Sequence, residues 1–241
     1  MKKLCLLLLL FLSHFLLMPL ETTHAKGKQE PVPDTVADSH SKYTVYFQTN
    51  SGRYCTAILI SSTAALTARH CVGREPAERV GTIYPGASGT KTPFGYMNIS
   101  EYIPHPNQDL FKKYDIALLK GTERDQDKFY KYYIRKFKTS VTGYTDDQFQ
   151  KFSGKEIYSY GYPYKGSDFY QYRSDGKITR YVERFKSIQT DLPTVVGQSG
   201  SGVFTKNGEF IGIVIESTTD RKGIVLPFTQ EIADWINANA N

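Results

Sequence analysis

Apolar and polar positions alternate along this chain in short bursts rather than in helical rows. Segments rich in β-branched and aromatic residues, bounded by turn residues, run from Tyr43 to Thr49, Cys55 to Ile60, Ala64 to Thr67, Ile116 to Leu119 and Glu156 to Tyr160. They continue from Lys177 to Tyr181, Phe185 to Thr190, Val203 to Thr205, Phe210 to Ile215 and Gly223 to Leu226. Short strands at this spacing, with no long helical pattern between them, predict an all-β sandwich or pair of barrels. Only the C-terminal end predicts a helix. Thr229 can cap it, Glu231 suits its first turn, and Ile232, Trp235 and Ile236 form an apolar stripe before Asn237.

The N-terminus follows a different pattern. Lys2 and Lys3 precede an apolar run from Leu4 to Leu20, broken by Ser13 and His14 and followed by Glu21, Thr22, Thr23, His24 and Ala25. A positive start, an apolar middle and a small residue at the cut describe a secretory signal peptide over residues 1–25. The alternative is a retained membrane anchor, which normally needs about 20 apolar residues. Cys5 stands at the start of the run, which argues against a lipid-bearing cysteine at the cleavage point. Residues 26–42 are polar, carry Pro31 and Pro33 and lack apolar periodicity, so they read as a tail, a short pro-segment or a surface strap.

Composition narrows the class. With 40% apolar and 14% aromatic residues among 241, the chain can fill a core, and 19 Gly with 11 Pro suit many short strands. Collagen, coiled coil and wholesale disorder are excluded. Three cysteines are too few for a disulfide-dense scaffold, and removal of the leader takes Cys5 with it. Cys55 and Cys71 then most simply pair in an oxidising compartment, the alternative being two buried thiols. The net charge of +6 loses only two lysines and one glutamate with the leader, and by itself it does not indicate nucleic acid. One segment concentrates it: Lys128 to Lys138 interleaves cations with aromatics. Such a run can stack on bases, sit on an anionic surface or capture substrate. The plainer alternative is an interdomain segment with aromatics packed inward and cations solvated.

Three short segments carry candidate chemistry. His70 lies in Thr67-Ala68-Arg69-His70-Cys71 after an apolar strand, Asp115 opens the apolar run Ile116 to Leu119, and Ser199 sits in Gly197-Gln198-Ser199-Gly200-Ser201-Gly202. Taken singly, these are a core histidine, a strand-capping aspartate and a glycine-rich loop. In the order His, Asp, Ser they resemble the chymotrypsin-like serine endopeptidases. The 45-residue step from His70 to Asp115 and the 16-residue step from Cys55 to Cys71 are similar to the animal-type members, as is Ile103-Pro104-His105-Pro106, where His105 is structural. From Gly161-Tyr162-Pro163 through Gly176-Lys177-Ile178-Thr179 to Gly212-Ile213, the second half is more similar to bacterial glutamyl endopeptidases and exfoliative toxins.

The resemblance implies two antiparallel six-stranded β-barrels with a C-terminal α-helix. Residues 43–125 would form the first barrel, 126–228 an interdomain segment and the second barrel, and 229–241 the helix. A serine hydroxyl is a weak nucleophile at neutral pH, so it needs a base such as His70, whose tautomer Asp115 would fix. The N–H groups of Gly197 and Ser199 would form the oxyanion hole, each such donor being worth ~3 kcal/mol in the transition state. A Cys55–Cys71 bridge would hold the base in place and add roughly 3 kcal/mol of stability.

The specificity pocket implied by the resemblance comprises Pro193, Thr194, Val214, Ile215, Glu216 and Ser217. Pro193 stands where trypsin-type enzymes have an acid. Thr194 matches a carboxylate-binding threonine of glutamyl endopeptidases, but Val214 replaces their pocket histidine, so a preference for uncharged residues is expected. Gln198 replaces the aspartate that receives a new N-terminal ammonium in animal enzymes, which argues against activation by that ion pair. No cofactor is required for serine chemistry, and no metal-ligand spacing occurs among the remaining cysteines and histidines. The expected partners are protein or peptide substrates, with no nucleic acid and no stable membrane anchor after leader removal, and the expected state is a monomer, secreted to the extracellular space or the periplasm. The alternative function is a catalytically silent or very narrow-specificity relative acting as a toxin or binding module; a third is a basic nucleic-acid or surface-binding protein.

Overall fold

The computed structural model describes residues 27–107, 112–165 and 169–240. The expected leader lies outside them. The first described segment, Lys28–Pro31, forms strand β1. Strands β2 (Thr44–Thr49), β3 (Tyr54–Leu59), β4 (Ala64–Thr67), β5 (Ala77–Pro85), β6 (Met97–Pro104) and β7 (Ala117–Lys120) follow. They close into an antiparallel barrel in the order β2-β3-β4-β7-β6-β5. Next come helices α1 (Lys128–Ile134) and α2 (Asp146–Gln150).

The second barrel contains β8 (Glu156–Gly161), β9 (Tyr172–Val182), β10 (Ser187–Pro193), β11 (Gly202–Thr205), β12 (Phe210–Ser217) and β13 (Lys222–Pro227). Its ring runs β9-β10-β13-β12-β11-β8 and closes through the β8–β9 pairing, so the architecture is two six-stranded antiparallel barrels. Closure leaves no open edge within either ring. β1 adds to the first part of β9, in register Lys28 to Asp175 through Pro31 to Tyr172. Helix α3 (Gln230–Asn239) ends the fold, with the Thr229 side chain accepting from the Ile232 N–H.

Each barrel is filled by the inward members of its alternating strands. Phe47, Leu66, Ile83, Met97, Ile99 and Leu118 are buried in the first, and Ile157, Ile178, Ile188, Leu192, Val203 and Val225 in the second. Ile232, Ala233 and Ile236 of α3 join the first cluster, together with Ile213, Leu226 and Phe228 from the second barrel. The helix therefore helps fasten one barrel to the other. No helix among the described residues is long and apolar enough to cross a membrane.

Several elements differ from the sequence reading. β5 and β6 were not anticipated; along β6 the buried positions Met97 and Ile99 share one parity and Tyr102 the other, so strict alternation breaks at Ser100 and Glu101. In β5 the register shifts between Glu78 and Gly81, and Arg79 takes a positive φ of 50°, so no regular alternation marks it. The strand expected from Phe185 begins at Ser187, after a 3-10 turn over Glu183–Phe185. Among the described residues two helices precede the terminal one; a capping box of Thr145 and Gln148 starts α2. In α1, Tyr130 and Ile134 point inward, but Phe129, Tyr132 and Tyr133 are 50%, 66% and 41% exposed. The inward-packed reading of the Lys128 to Lys138 aromatics therefore holds for only part of the segment.

Candidate active site

β4 ends at Thr67, and a 3-10 turn over Arg69–Cys71 projects His70 into the cleft between the barrels. Two restraints hold that turn. The Cys55–Cys71 disulfide ties it to β3. From β6, the buried Tyr102 hydroxyl is shared between the Arg69 carbonyl at 2.8 Å and the Gly73 carbonyl at 2.6 Å. Burial holds the Tyr102 phenol well above the usual tyrosine range, so it remains a donor.

Asp115 stands two residues before β7 and is 3% exposed. Its Oδ1 accepts from the His70 backbone N–H at 2.9 Å, and its Oδ2 lies 2.7 Å from His70 Nδ1. With Nδ1 donating to this carboxylate, Nε2 is left to accept, and Ser199 Oγ lies 3.0 Å from it. The aspartate is closed to water while the imidazole faces the cleft, a geometry in which a proton can pass from the hydroxyl to a ring whose tautomer is fixed.

Ser199 is carried on the turn between β10 and β11. Gly197 and Gly200 have φ of +96° and +90°, and a Cβ on them would fall 2.3 Å from the Tyr162 carbonyl and 2.0 Å from the Thr56 carbonyl. Only glycine fits there. Thr56 of β3 reaches across from the first barrel. Its N–H donates to the Ser199 carbonyl and its hydroxyl to the Gly197 carbonyl, both at 2.9 Å. The Tyr164 N–H donates to the Val196 carbonyl at 2.7 Å. Because that peptide is trans, the Gly197 N–H points the other way. Among the described residues, neither the Gly197 nor the Ser199 N–H meets an acceptor.

A cavity of about 620 Å³ opens beside the serine. Thr194, Val214, Ile215, Glu216 and Ser217 line it with His70, Gly197 and Ser199; Pro193, expected in the same wall, does not. The Thr194 hydroxyl donates to the Leu192 carbonyl at 3.2 Å, and the Ser217 hydroxyl to the Thr194 carbonyl at 2.6 Å. Glu216 forms an ion pair with Lys112 at 3.2 Å. Tyr54 and Tyr164 form part of the lining, and burial, with the neighbouring Tyr164 phenol, pushes the Tyr54 hydroxyl up to about 12.

A family model described as Trypsin-like peptidase domain matches residues 55–213, which contain the disulfide and all three aligned side chains. The chain belongs to the trypsin-like peptidase family. Among solved structures, a Glu endopeptidase in complex with MPD superposes with a TM-score of 0.69 at 21% identity, covering 88% of this chain and 97% of that one. Protease Anisep from Arthrobacter nicotinovorans superposes with a TM-score of 0.61 at 15% identity, covering 88% and 98%. At these identities the likeness is one of fold. No curated protein matches the sequence.

Two other histidines lie apart from the serine of this peptidase. His105 is buried, stacks on Tyr114 at 4.6 Å and lies 4.8 Å from Trp235. Its Nδ1 accepts from the Asn107 N–H, and burial pulls its pKa below the ordinary histidine range. His40 stacks on Tyr160 and bonds the Tyr158 hydroxyl. Cys55, His70 and Cys71 bring possible ligand atoms within 4.8 Å of one another, but sulfurs bonded to each other are not thiolates. Sequence reasoning missed Tyr102 and Thr56. The break in alternation at Ser100 and Glu101 hid Tyr102, and nothing local distinguishes Thr56.

Proposed function

We propose that this peptidase is a secreted serine endopeptidase that works through an acyl-enzyme on Ser199. The observation that carries the reading is the continuous set of hydrogen bonds from Asp115 through His70 to Ser199, beside two backbone N–H groups without acceptors. His70 Nε2 takes the Ser199 proton as Oγ bonds to the substrate carbonyl carbon. The carbonyl oxygen becomes an oxyanion between the N–H groups of Gly197 and Ser199. On collapse, the C–N bond breaks and His70 returns the proton to the leaving amine. Water, deprotonated by His70, then hydrolyses the ester and releases the acid. Asp115 stabilises the imidazolium and keeps its own charge throughout.

The pocket favours an uncharged side chain at the cleaved position. The Thr194 hydroxyl hydrogen is committed to Leu192, and Val214 offers no charge. Glu216 and Lys112, which both line the cavity, are paired with each other, so neither charge is left to select an acidic or a basic side chain. Secretion is supported by the N-terminal pattern of the sequence and by the disulfide. A fluorophosphonate probe should label the purified protein at Ser199, and Ser199→Ala should abolish labelling. A wild-type protein that fails to label would favour the silent binding module. Cleavage of a peptide library should show uncharged residues at the cut, and dominance of Glu there would overturn the pocket reading.

A further inference from the structure

β1 has one partly buried residue among four: Lys28, Glu30 and Pro31 are exposed, whereas Gln29 turns inward opposite Ser174. The Gln29 side-chain amide nitrogen lies 2.9 Å from Ser174 Oγ, 2.9 Å from the Pro193 carbonyl and 3.1 Å from Gln198 Oε1. Gln198 directly precedes Ser199 and is 1% exposed. Its Oε1 accepts from the Val195 N–H at 2.9 Å, while its own N–H donates to the Val195 carbonyl at 3.3 Å. The Gln198 side chain and backbone thus close the same four-residue turn, Val195 to Gln198, from both sides. That turn presents the Gly197 N–H.

We infer that Gln29 is a positioning residue: the N-terminal strap holds the turn that carries the oxyanion donor by donating to the buried Gln198 amide. The inference rests on the serine-peptidase reading and extends it to a residue 169 positions before the one it grips. The Gln29 amide has two hydrogens for three acceptors: with one on Gln198 Oε1 and the other shared by Ser174 Oγ and the Pro193 carbonyl, the Gln198 oxygen is fixed in direction by two donors, the Val195 N–H and the Gln29 amide. Without Gln29 it keeps one donor, and the side chain of Gln198 can swing away from the Val195 N–H. The turn then loses its inner brace and the Gly197 N–H its aim. Packing of the strap resides elsewhere, in buried Val32 against Tyr158 and Tyr160, so the polar and apolar roles of this segment are separable.

The neutral pair also explains the absence of a charged partner at position 198. A buried carboxylate there would demand a cation; an amide needs only hydrogen bonds, which a neighbouring amide supplies. The strap can therefore fasten the turn through a side chain within the chain, with no requirement for a free terminal ammonium.

The experiment compares Gln29→Ala, Gln198→Ala and the double variant in the full processed protein. The readouts are the fluorophosphonate labelling rate and the kcat and KM for p-nitrophenyl acetate. Gln29→Ala should lower kcat and the labelling rate tenfold or more, with KM within twofold and little change in melting temperature. The double variant should lose no more than Gln198→Ala alone, since both act through one contact. Lys28→Ala, on the exposed face of the same strap, should match wild type. If wild type labels and Gln29→Ala keeps its full kcat, or the two losses multiply, the inference is overturned. If Gln29→Ala moves only the melting temperature, Gln29 is structural and the inference is likewise overturned. A wild-type protein that neither labels nor turns over the ester overturns the peptidase reading, and this inference with it.

Discussion

In the first barrel, His70 and Asp115 are held by a disulfide, a buried tyrosine and the ends of core strands. In the second, Ser199 hangs on a turn that owes its shape to two glycines and a set of backbone and amide hydrogen bonds. The two restraints suit the two tasks that the proposed mechanism sets. The base must keep one ring orientation, which rigid anchoring provides. The oxyanion donors must point at an atom that exists only during the reaction, so their N–H groups have to stay free of protein acceptors. A strand ladder would satisfy those donors and remove them; a glycine turn leaves them exposed. Thr56 joins the two systems by donating from the first barrel to both the Gly197 and Ser199 carbonyls.

This contrast can be broken from either side, and the largest expected effect lies in the first barrel. Asp115→Asn preserves shape but lets the ring choose the wrong tautomer, so the labelling rate should fall by about 10⁴-fold with the fold intact. Circular dichroism would check the fold, and a loss below tenfold would show that the tautomer is fixed by other groups. In the second barrel, Gly197→Ala drives a methyl group against the Tyr162 carbonyl. It should cost roughly 10²- to 10³-fold in kcat by displacing one oxyanion donor. Unchanged turnover in that variant would mean that the turn tolerates rearrangement.

Smaller effects sharpen the comparison. Replacing both Cys55 and Cys71 with serine should lower stability in urea by roughly 3 kcal/mol, through the restraint on the unfolded chain. A change near zero would mean that the bridge adds no net restraint to the unfolded chain. The smallest effect concerns His105. Burial lowers its pKa against a weaker opposing pull from Glu231, so the unfolded chain binds more protons just below about pH 6.5. Stability should therefore rise with pH through that window, and fall as acidification proceeds toward the lowered folded value. Urea midpoints between pH 7.5 and 5.5 should decline for wild type and less steeply for His105→Phe; equal slopes would assign the decline to other groups.

Legibility in the sequence was uneven for physical reasons. The segments around His70, Asp115 and Ser199 were readable because each pairs a reactive side chain with a local backbone requirement, a turn after a strand, a strand mouth or a glycine pair. The core strands of the second barrel were readable from runs such as Phe210 to Ile215. β5 was hidden by its bulge and by charged Glu78 and Arg79 within it, and α1 by exposed aromatics that imitate strand residues. The segment around Gln29 lacks any apolar periodicity, because apart from Val32 it is held by its strand pairing with β9 and by the Gln29 amide. Pro193 was expected in the pocket from its place in the chain, yet its carbonyl accepts from Gln29 and Ser174 instead.

By itself the sequence determined the alternation that makes two barrels, the cysteines that can pair and the order of the three candidate catalytic residues. These depend on local chemistry and on short spacings. Tertiary structure alone decided that Thr56, Tyr102, Tyr164 and Gln29 bond to the turns around His70 and Ser199, and that the Thr194 hydroxyl is already committed. Those facts depend on hydrogen bonds between residues far apart in the chain, whose geometry exists only once both barrels have closed.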